Sequence, residues 1–449
     1  MKQTHHTRSF LLGVLCAALA FSLAAPALAA AGRMIEIFGG VKIYVDDVQL
    51  NPTDANGNPI DVFVHDGTTY LPVRAVSEAL GKQVQWDGST RSVYIGRHGS
   101  VPAAGSFRVA MITDSGDITD QSYNQIVYEA CKEYCEAHGV DFNYYKPAGD
   151  SDTDREEIID LAISKGYNII VVCGYLFGPA LQYAVPAYPD VKFIALDVSA
   201  FDLGDMGGNV PGNLYCTVYR EELSGYMAGY AAVKLGYTRL GFLGGMAVPA
   251  IQRYGYGFVQ GADAAARELG NTAGVSVNYI YAGQFFPDPD ITAHMDTWYA
   301  GGTEVVFACG GGVYVSAAEA AAKVNGKVIG VDVDQAGVID AYGAGMTVTS
   351  AMKGLAPTVK AVLAETIEKG SWAAFGGQVA TLGLVSGDDP EANYMQLPMD
   401  STQWEDGKFT RDDYKALVKR MFSGELTVSS DVSTEPFTEI LVDYRGSVK

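Results

Sequence analysis

Basic clusters are missing from this chain. Past residue 10 no group of Lys and Arg gathers anywhere, and the 449 residues set 31 basic against 52 acidic side chains, a net charge of −21. A protein that neutralises phosphates needs a basic surface, so nucleic acid and anionic lipid are poor partners. Cysteine is scarce as well. Beyond Cys16 there are Cys131, Cys135, Cys173, Cys216 and Cys309, with no C-x-x-C spacing, which gives neither a disulfide framework nor a zinc or redox motif. G-x-S-x-G, H-E-x-x-H and P-loop strings are absent, and His65, His98, His138 and His294 are scattered. Nothing here supports catalysis, a metal or a cofactor. With 48% hydrophobic and 18% charged residues the chain is globular rather than disordered.

The one long apolar stretch is N-terminal. Lys2 and Arg8 precede Phe10 to Leu23, and Ala27-Leu28-Ala29 offers small residues for cleavage, so residues 1–29 read as a signal peptide and the mature protein as exported and extracytoplasmic. Cys16 sits behind Val14-Leu15 in mid-stretch rather than behind a small residue, so the chain does not read as a lipoprotein.

The mature length suggests about three units on a prior of ~150 residues each. Gly99 to Ser106 is a small-residue linker containing Pro102. Before it, Ile43-Tyr44-Val45 and Val62-Phe63-Val64 read as short strands between turn clusters. Pro72, Val73, Val76, Ala79, Leu80 and Gly81 read as one helix with its start and stop signals, and Val84 to Ile95 as a hairpin around Asp87-Gly88. The string Thr69 to Gly81 followed by Val84-Gln85-Trp86-Asp87 resembles the copper amine oxidase N-terminal-like stalk domain, placed here at residues 33–98. The resemblance implies a small β-rich α+β module that contacts the cell wall or envelope, and no copper site, since His65 and His98 are too few ligands.

After the linker, apolar β-branched runs at 107–112, 168–172, 191–196, 240–243, 275–281, 304–309 and 328–331 alternate with helical periodicity, the signature of parallel sheets flanked by helices. Residues 107–449 exceed one core, so two α/β lobes are expected, roughly 107–217 plus a return segment and 218–345 plus C-terminal segments. Ligands in such sheets bind beyond the carboxyl ends of strands. Those positions hold Asp114, then Asp120 as a helix cap with Tyr123 and Asn124 in the first helical turn. They also hold Gly174 to Phe177, Gly310-Gly311-Gly312, and Asp332. Aromatic rings, carboxylates and bare backbone suit a flat heterocycle joined to a sugar diol, and repel a phosphate unless Lys353 and helix N-termini outweigh the acids. Asp150 to Asp154 looks like a calcium loop, but Arg155 and Leu161 replace its Gly and Glu, so a helix start is the better reading.

From residue 107 onward the chain resembles the basic membrane protein (BMP) family of ABC-transporter substrate-binding proteins. The match is carried by Asp114-Ser115-Gly116 with Asp120 to Gln125, by Tyr219 to Gly229, by Gly244 to Pro249, by Val328 to Gln335, and by Thr349 to Lys353. The resemblance implies a two-lobed, hinged type I periplasmic-binding fold that captures a purine nucleoside for an ABC permease and catalyses nothing. By matched motif, Asp114 and Asn124 would hydrogen-bond the base, Tyr123 would stack on it, Asp332 would hold the ribose hydroxyls and Lys353 would lie at the cleft rim. Gly174, Phe177, Gly310 and Gly311 complete the expected ligand site. Tyr123 stands where the family usually has Phe. The missing lipid motif implies that the stalk, not a lipid, holds the protein at the envelope. Another flat heterocycle such as a flavin, a surface sensor without transport, and a secreted hydrolase are the alternatives.

Overall fold

The computed structural model describes residues 36–45, 47–53, 58–80, 84–87, 92–95 and 107–449. The expected signal peptide, 1–29, and linker, 99–106, lie outside them. The chain divides into two units, Met1–Val84 and Gln85–Lys449.

The first unit is a set of hairpins and one helix. β1 (Ile43–Val45) pairs antiparallel with β2 (Val48–Leu50), and β3 (Phe63–His65) with β4 (Thr68–Tyr70). Asp47 in one turn, and Asp66 with Gly67 in the other, adopt the positive φ that tight hairpins require. α1 (Val73–Ala79) begins after Pro72, whose missing N–H is tolerated because a helix's first N–H groups have no partner in the helix. β5 (Val84–Asp87) begins on the last residue of this unit and pairs with β6 (Ser92–Ile95) of the second unit in a further two-stranded sheet, while the turn at Gly88 lies outside the described residues. His65 contacts the Glu36 carbonyl at 2.8 Å and lies 3.5 Å from Asp66, while His98 lies outside the described residues.

From Arg108 the second unit is an alternating α/β chain. In order come β7 (Arg108–Ile112), α2 (Tyr123–His138), β8 (Asp141–Tyr145), α3 (Asp152–Ser164), β9 (Ile169–Cys173), α4 (Gly178–Ala187), β10 (Lys192–Leu196) and β11 (Leu214–Tyr219). The chain then crosses to a second lobe with α5 (Glu221–Lys234), β12 (Arg239–Gly244), α6 (Pro249–Glu268), β13 (Ser276–Tyr281), α7 (Pro289–Ala300), β14 (Val305–Cys309), α8 (Tyr314–Ala322), β15 (Lys327–Asp332), α9 (Ala336–Ile339) and β16 (Thr347–Lys353). It returns for α10 (Leu355–Ile367), which packs on α2, and β17 (Gln378–Leu382). A last crossing adds β18 (Met395–Gln396), α11 (Arg411–Phe422) and β19 (Leu441–Ser447) to the second lobe.

Lobe 1 is a six-stranded parallel sheet in the order β17-β11-β10-β9-β7-β8, and lobe 2 a seven-stranded sheet in the order β18-β16-β15-β14-β12-β13-β19, with only β18 antiparallel. Central strands such as β9 and β14 are buried at every position, as a sheet covered on both faces demands. At the first crossing α5 and α6 approach closely. Gly225 and Gly229 of one face backbone atoms of the other, and Gly257 and Gly261 do the same in return, so that a Cβ at any of the four would overlap a main-chain oxygen. The start of α3 confirms the helix reading over the calcium loop. Ser151 and Asp154 form a reciprocal capping box there.

Candidate functional site

Strand order reverses between β7 and β9 in lobe 1 and between β12 and β14 in lobe 2, so the loops after these strands diverge to opposite faces and leave a crevice at their carboxyl ends. There, between the lobes, lies a cavity of about 880 Å3. Asp114, Tyr123, Asn124 and Gly174 line it from lobe 1, and Gly310, Gly311, Asp332 and Lys353 from lobe 2.

Two expected residues take other places. Phe177 is fully buried in the apolar core of lobe 1 with Val172, Ala180, Leu181 and Leu203, away from the cavity lining. It ends a one-turn 3-10 segment, Tyr175–Phe177, whose successive side chains point about 120° apart, so Tyr175 and Leu176 reach the cavity and the third residue faces inward. Lys353 is not at the rim. Its ammonium is buried and bonded to Asp197 at 2.6 Å and Glu221 at 3.0 Å, with the rings of Tyr123, Tyr219 and Tyr254 5.1–5.8 Å away. Burial alone would favour losing the proton, but the carboxylates of Asp197, Glu221 and Asp332 hold the Lys353 ammonium above its usual range.

On lobe 1, α2 is entered through a polar knot. Ser122 occupies the N-cap position but caps nothing with its side chain; instead Asp120, two residues earlier, accepts from the backbone N–H groups of Ser122, Asn124 and Gln125. Asn124 donates to Asp114 Oδ1 at 2.9 Å, and Gly116 N–H donates to the same oxygen at 2.6 Å. A Cβ at Gly116 would overlap the Asn124 amide, which is why glycine stands there. Burial nevertheless lifts the Asp114 carboxyl to about 6. The hydroxyl that Tyr123 carries in place of a Phe hydrogen donates to the Leu196 carbonyl at 3.1 Å, so it is tied to lobe 1 itself.

On lobe 2, Asp332 ends β15 with left-handed backbone, φ +64, a conformation Asp tolerates better than most residues. It accepts a 2.6 Å hydrogen bond from Ser122 of lobe 1, and burial raises its carboxyl to about 6. Gln335 donates to the Gln121 carbonyl across the same gap at 2.9 Å. Phe285, in the loop after β13, packs where Gly245 and Gly310 leave room, since a Cβ at Gly245 would overlap its ring and one at Gly310 would stand 3.0 Å from it.

Every cation of the lining has its own carboxylate. Lys146 meets Asp117 at 3.2 Å, Arg253 meets Glu221 at 2.5 Å, and Lys353 is held as described. Asp114 and Asp332 therefore leave the interior with unpaired negative charge, which disfavours an anionic ligand. Sequence reasoning missed Asp197, Glu221, Arg253, Tyr254 and Phe285. Asp197 follows β10 directly and has the left-handed φ of a strand-end residue, +57, so strand-end position was the available signal. Glu221 and Arg253 lie inside helices and Phe285 in a loop without periodicity, and nothing local marks them.

Comparison with known proteins fits this geometry. Residues 107–389 match the Bmp family model, described as ABC transporter substrate-binding protein PnrA-like, and residues 42–101 match the copper amine oxidase N-terminal domain. A curated relative, the ABC transporter nucleoside-binding protein BmpA of Lactococcus lactis, is 27% identical over 51% of this chain and 64% of its own length. The chain spans less than two thirds of the length of that relative and of two Listeria relatives. Among solved structures, an ABC solute-binding protein of Aeropyrum pernix is 22% identical over 73% of this chain and 88% of its own, with TM-score 0.56, and one from Conexibacter woesei is 24% identical over 72% and 99%, with TM-score 0.55; both share the two-lobed fold. Localisation needs correction. Relatives from Pyrococcus abyssi, Pyrococcus furiosus and Pyrococcus horikoshii, 28–29% identical over 40% of this chain and 43% of their own, are named lipoproteins, which overturns the reading of an exported chain held without lipid. That reading rested on side-chain size beside Cys16, within residues the structure does not describe. The solute-binding relatives bind rather than catalyse, and with more than half of its length matched, this chain belongs to the Bmp family of ABC-transporter substrate-binding proteins.

Proposed function

We propose that the cavity captures a purine nucleoside and that the loaded protein presents it to the permease of an ABC importer. The observation that carries this is the convergence of the Tyr123 ring and Asp114 from lobe 1 with Asp332 from lobe 2 on one cavity. In this reading the base lies against Tyr123, with Phe285 offering a second aromatic wall, Asp114 accepts from the base edge, and Asp332 accepts from the ribose diol. Lys353 acts at a distance, holding Asp197 and Glu221 rather than the ligand. The nucleoside-binding name of the Lactococcus relative supports the assignment. We also take residues 33–98 as the stalk-like module and 107–449 as the binding domain.

The cavity of about 880 Å3 leaves room for a larger flat heterocycle such as a flavin, and this favours a second reading. Thermal unfolding with nucleosides, bases, flavins and nucleotides separates the two, because a ligand of the native state stabilises by RT ln(1 + [L]/Kd). The nucleoside reading expects a shift with inosine, guanosine or adenosine that is lost in Asp332→Ala. A shift with flavin alone overturns it.

A further inference from the structure

We propose that Asn124 is a positioning residue which holds Asp114 so that Oδ2 alone faces the ligand, and that the site therefore takes a heterocycle with a lactam-type N–H at its edge, as in a 6-oxopurine. The inference rests on the nucleoside reading and narrows it.

Asn124 is 3% exposed, and its amide is fully engaged inside lobe 1. Nδ2 donates to Asp114 Oδ1 at 2.9 Å and to Asp120 Oδ2 at 3.1 Å, while Oδ1 accepts from the Asp114 N–H at 3.3 Å. The amide cannot be turned over, since an oxygen would then face two carboxylates. No amide hydrogen is left for a ligand. Asp120 is occupied in the same way. Its Oδ1 accepts from Ser122 N–H at 2.9 Å and Gln125 N–H at 3.1 Å, and its Oδ2 from Asn124 N–H at 2.9 Å. Asp114 Oδ1 already receives Gly116 and Asn124.

Asp114 Oδ2 remains. It lies beside Gly174, where a Cβ would stand 3.4 Å from it, so glycine keeps the approach to that oxygen open. An ionised carboxylate oxygen only accepts, and a ligand must bring the hydrogen. The N1–H of a 6-oxopurine does so. A 6-aminopurine sets a ring-nitrogen lone pair next to its amino group, and that part of its edge repels the carboxylate.

The test is calorimetric titration of the full chain at pH 8 with inosine, adenosine and 1-methylinosine, in which a methyl group replaces N1–H. Inosine is expected to bind at least about tenfold more tightly than either of the others, the scale of one hydrogen bond to a charged group. Equal binding of inosine and adenosine, or of inosine and 1-methylinosine, overturns the inference and leaves the nucleoside reading standing; no binding by any nucleoside overturns both. Asn124→Ala supplies the readout for positioning. Asp114 faces Asp120, Arg155, Tyr123, Cys173 and Tyr175, burial lifts its carboxyl, and the Asn124 hydrogen bond pulls the other way. Without that amide the acid midpoint of inosine binding moves to higher pH, so affinity falls several-fold more at pH 6 than at pH 8. A loss of equal size at both pH values marks a direct ligand contact and overturns the positioning role. The comparison of ligands on the unaltered chain decides the ligand class even where Asn124→Ala fails to fold.

Discussion

Asp114 and Asp332 are buried carboxyls with raised pKa, each lifted to about 6 from 3.8 chiefly by loss of solvent. The folded state thus holds more protons than the unfolded one between about pH 4 and 6, and stability from these groups falls as pH rises through that window. Asp332→Asn removes the effect while keeping a residue that tolerates positive φ. Its stability relative to the parent is expected to be near zero at pH 4 and to grow to on the order of 2–3 kcal/mol by pH 7, read by urea unfolding without ligand. A difference independent of pH contradicts the buried-carboxylate account. Ligand affinity runs the other way, weakening below about pH 6 as the acceptors take up protons. Phe177 shows how a site residue is misread. From its number alone it shares a strand-end loop with Gly174, yet it fills a core, and Phe177→Ala is expected to cost about 3–5 kcal/mol in unfolding free energy. Tyr175→Ala, which removes a cavity-lining ring, is expected to cost far less stability and more ligand affinity.

Among the elements, the strands read correctly were those that lie mid-sheet with unbroken apolar runs, such as β9 and β14. β8, Asp141–Tyr145, is an edge strand with mixed polar faces, and β16, Thr347–Lys353, is interrupted by Thr347, Thr349 and Ser350, so neither announces itself by hydropathy. β17 and β19 complete sheet edges from far along the chain, and no local pattern predicts a partner more than 100 residues away. The helix at α2 and the lining residues on it were legible because an acidic cap and an apolar stripe bracket them. The close α5 and α6 crossing depends on glycines spaced four apart, and their purpose shows only when both helices are in place. Gly229→Ala forces its methyl against the Phe258 carbonyl and is expected to destabilise the protein by about 2 kcal/mol or more, the scale of an overpacked core. A neutral result in thermal or urea unfolding would show that the helices can separate without loss.

Across the binding domain, an apolar cluster with buried residues from both sheets is supplemented by polar contacts between the lobes. Ser122 to Asp332, Gln335 to Gln121 and Lys353 to Asp197 each cross from one sheet to the other around the cavity. Lys353 matters most, because removing one partner of a buried ion cluster leaves the others uncompensated. Lys353→Met is expected to lower stability by about 3–5 kcal/mol at pH 8, with part of the loss recovered at lower pH as Asp197, whose buried carboxyl is already raised above its usual range, takes up a proton. A loss that does not change with pH would assign the effect to packing instead. These crossings are compatible with lobes that close by hinge motion around a ligand, the motion expected of the fold.

The central claim is that this cavity binds a nucleoside and releases it unchanged. The most direct measurement is isothermal titration of the full chain with inosine at pH 8, followed by chromatography of the ligand recovered after unfolding. One inosine bound per chain, recovered intact, with binding abolished in Asp332→Ala, is the predicted result. Absence of binding heat with inosine, guanosine and adenosine alike, or recovery of free base in place of nucleoside, would contradict it.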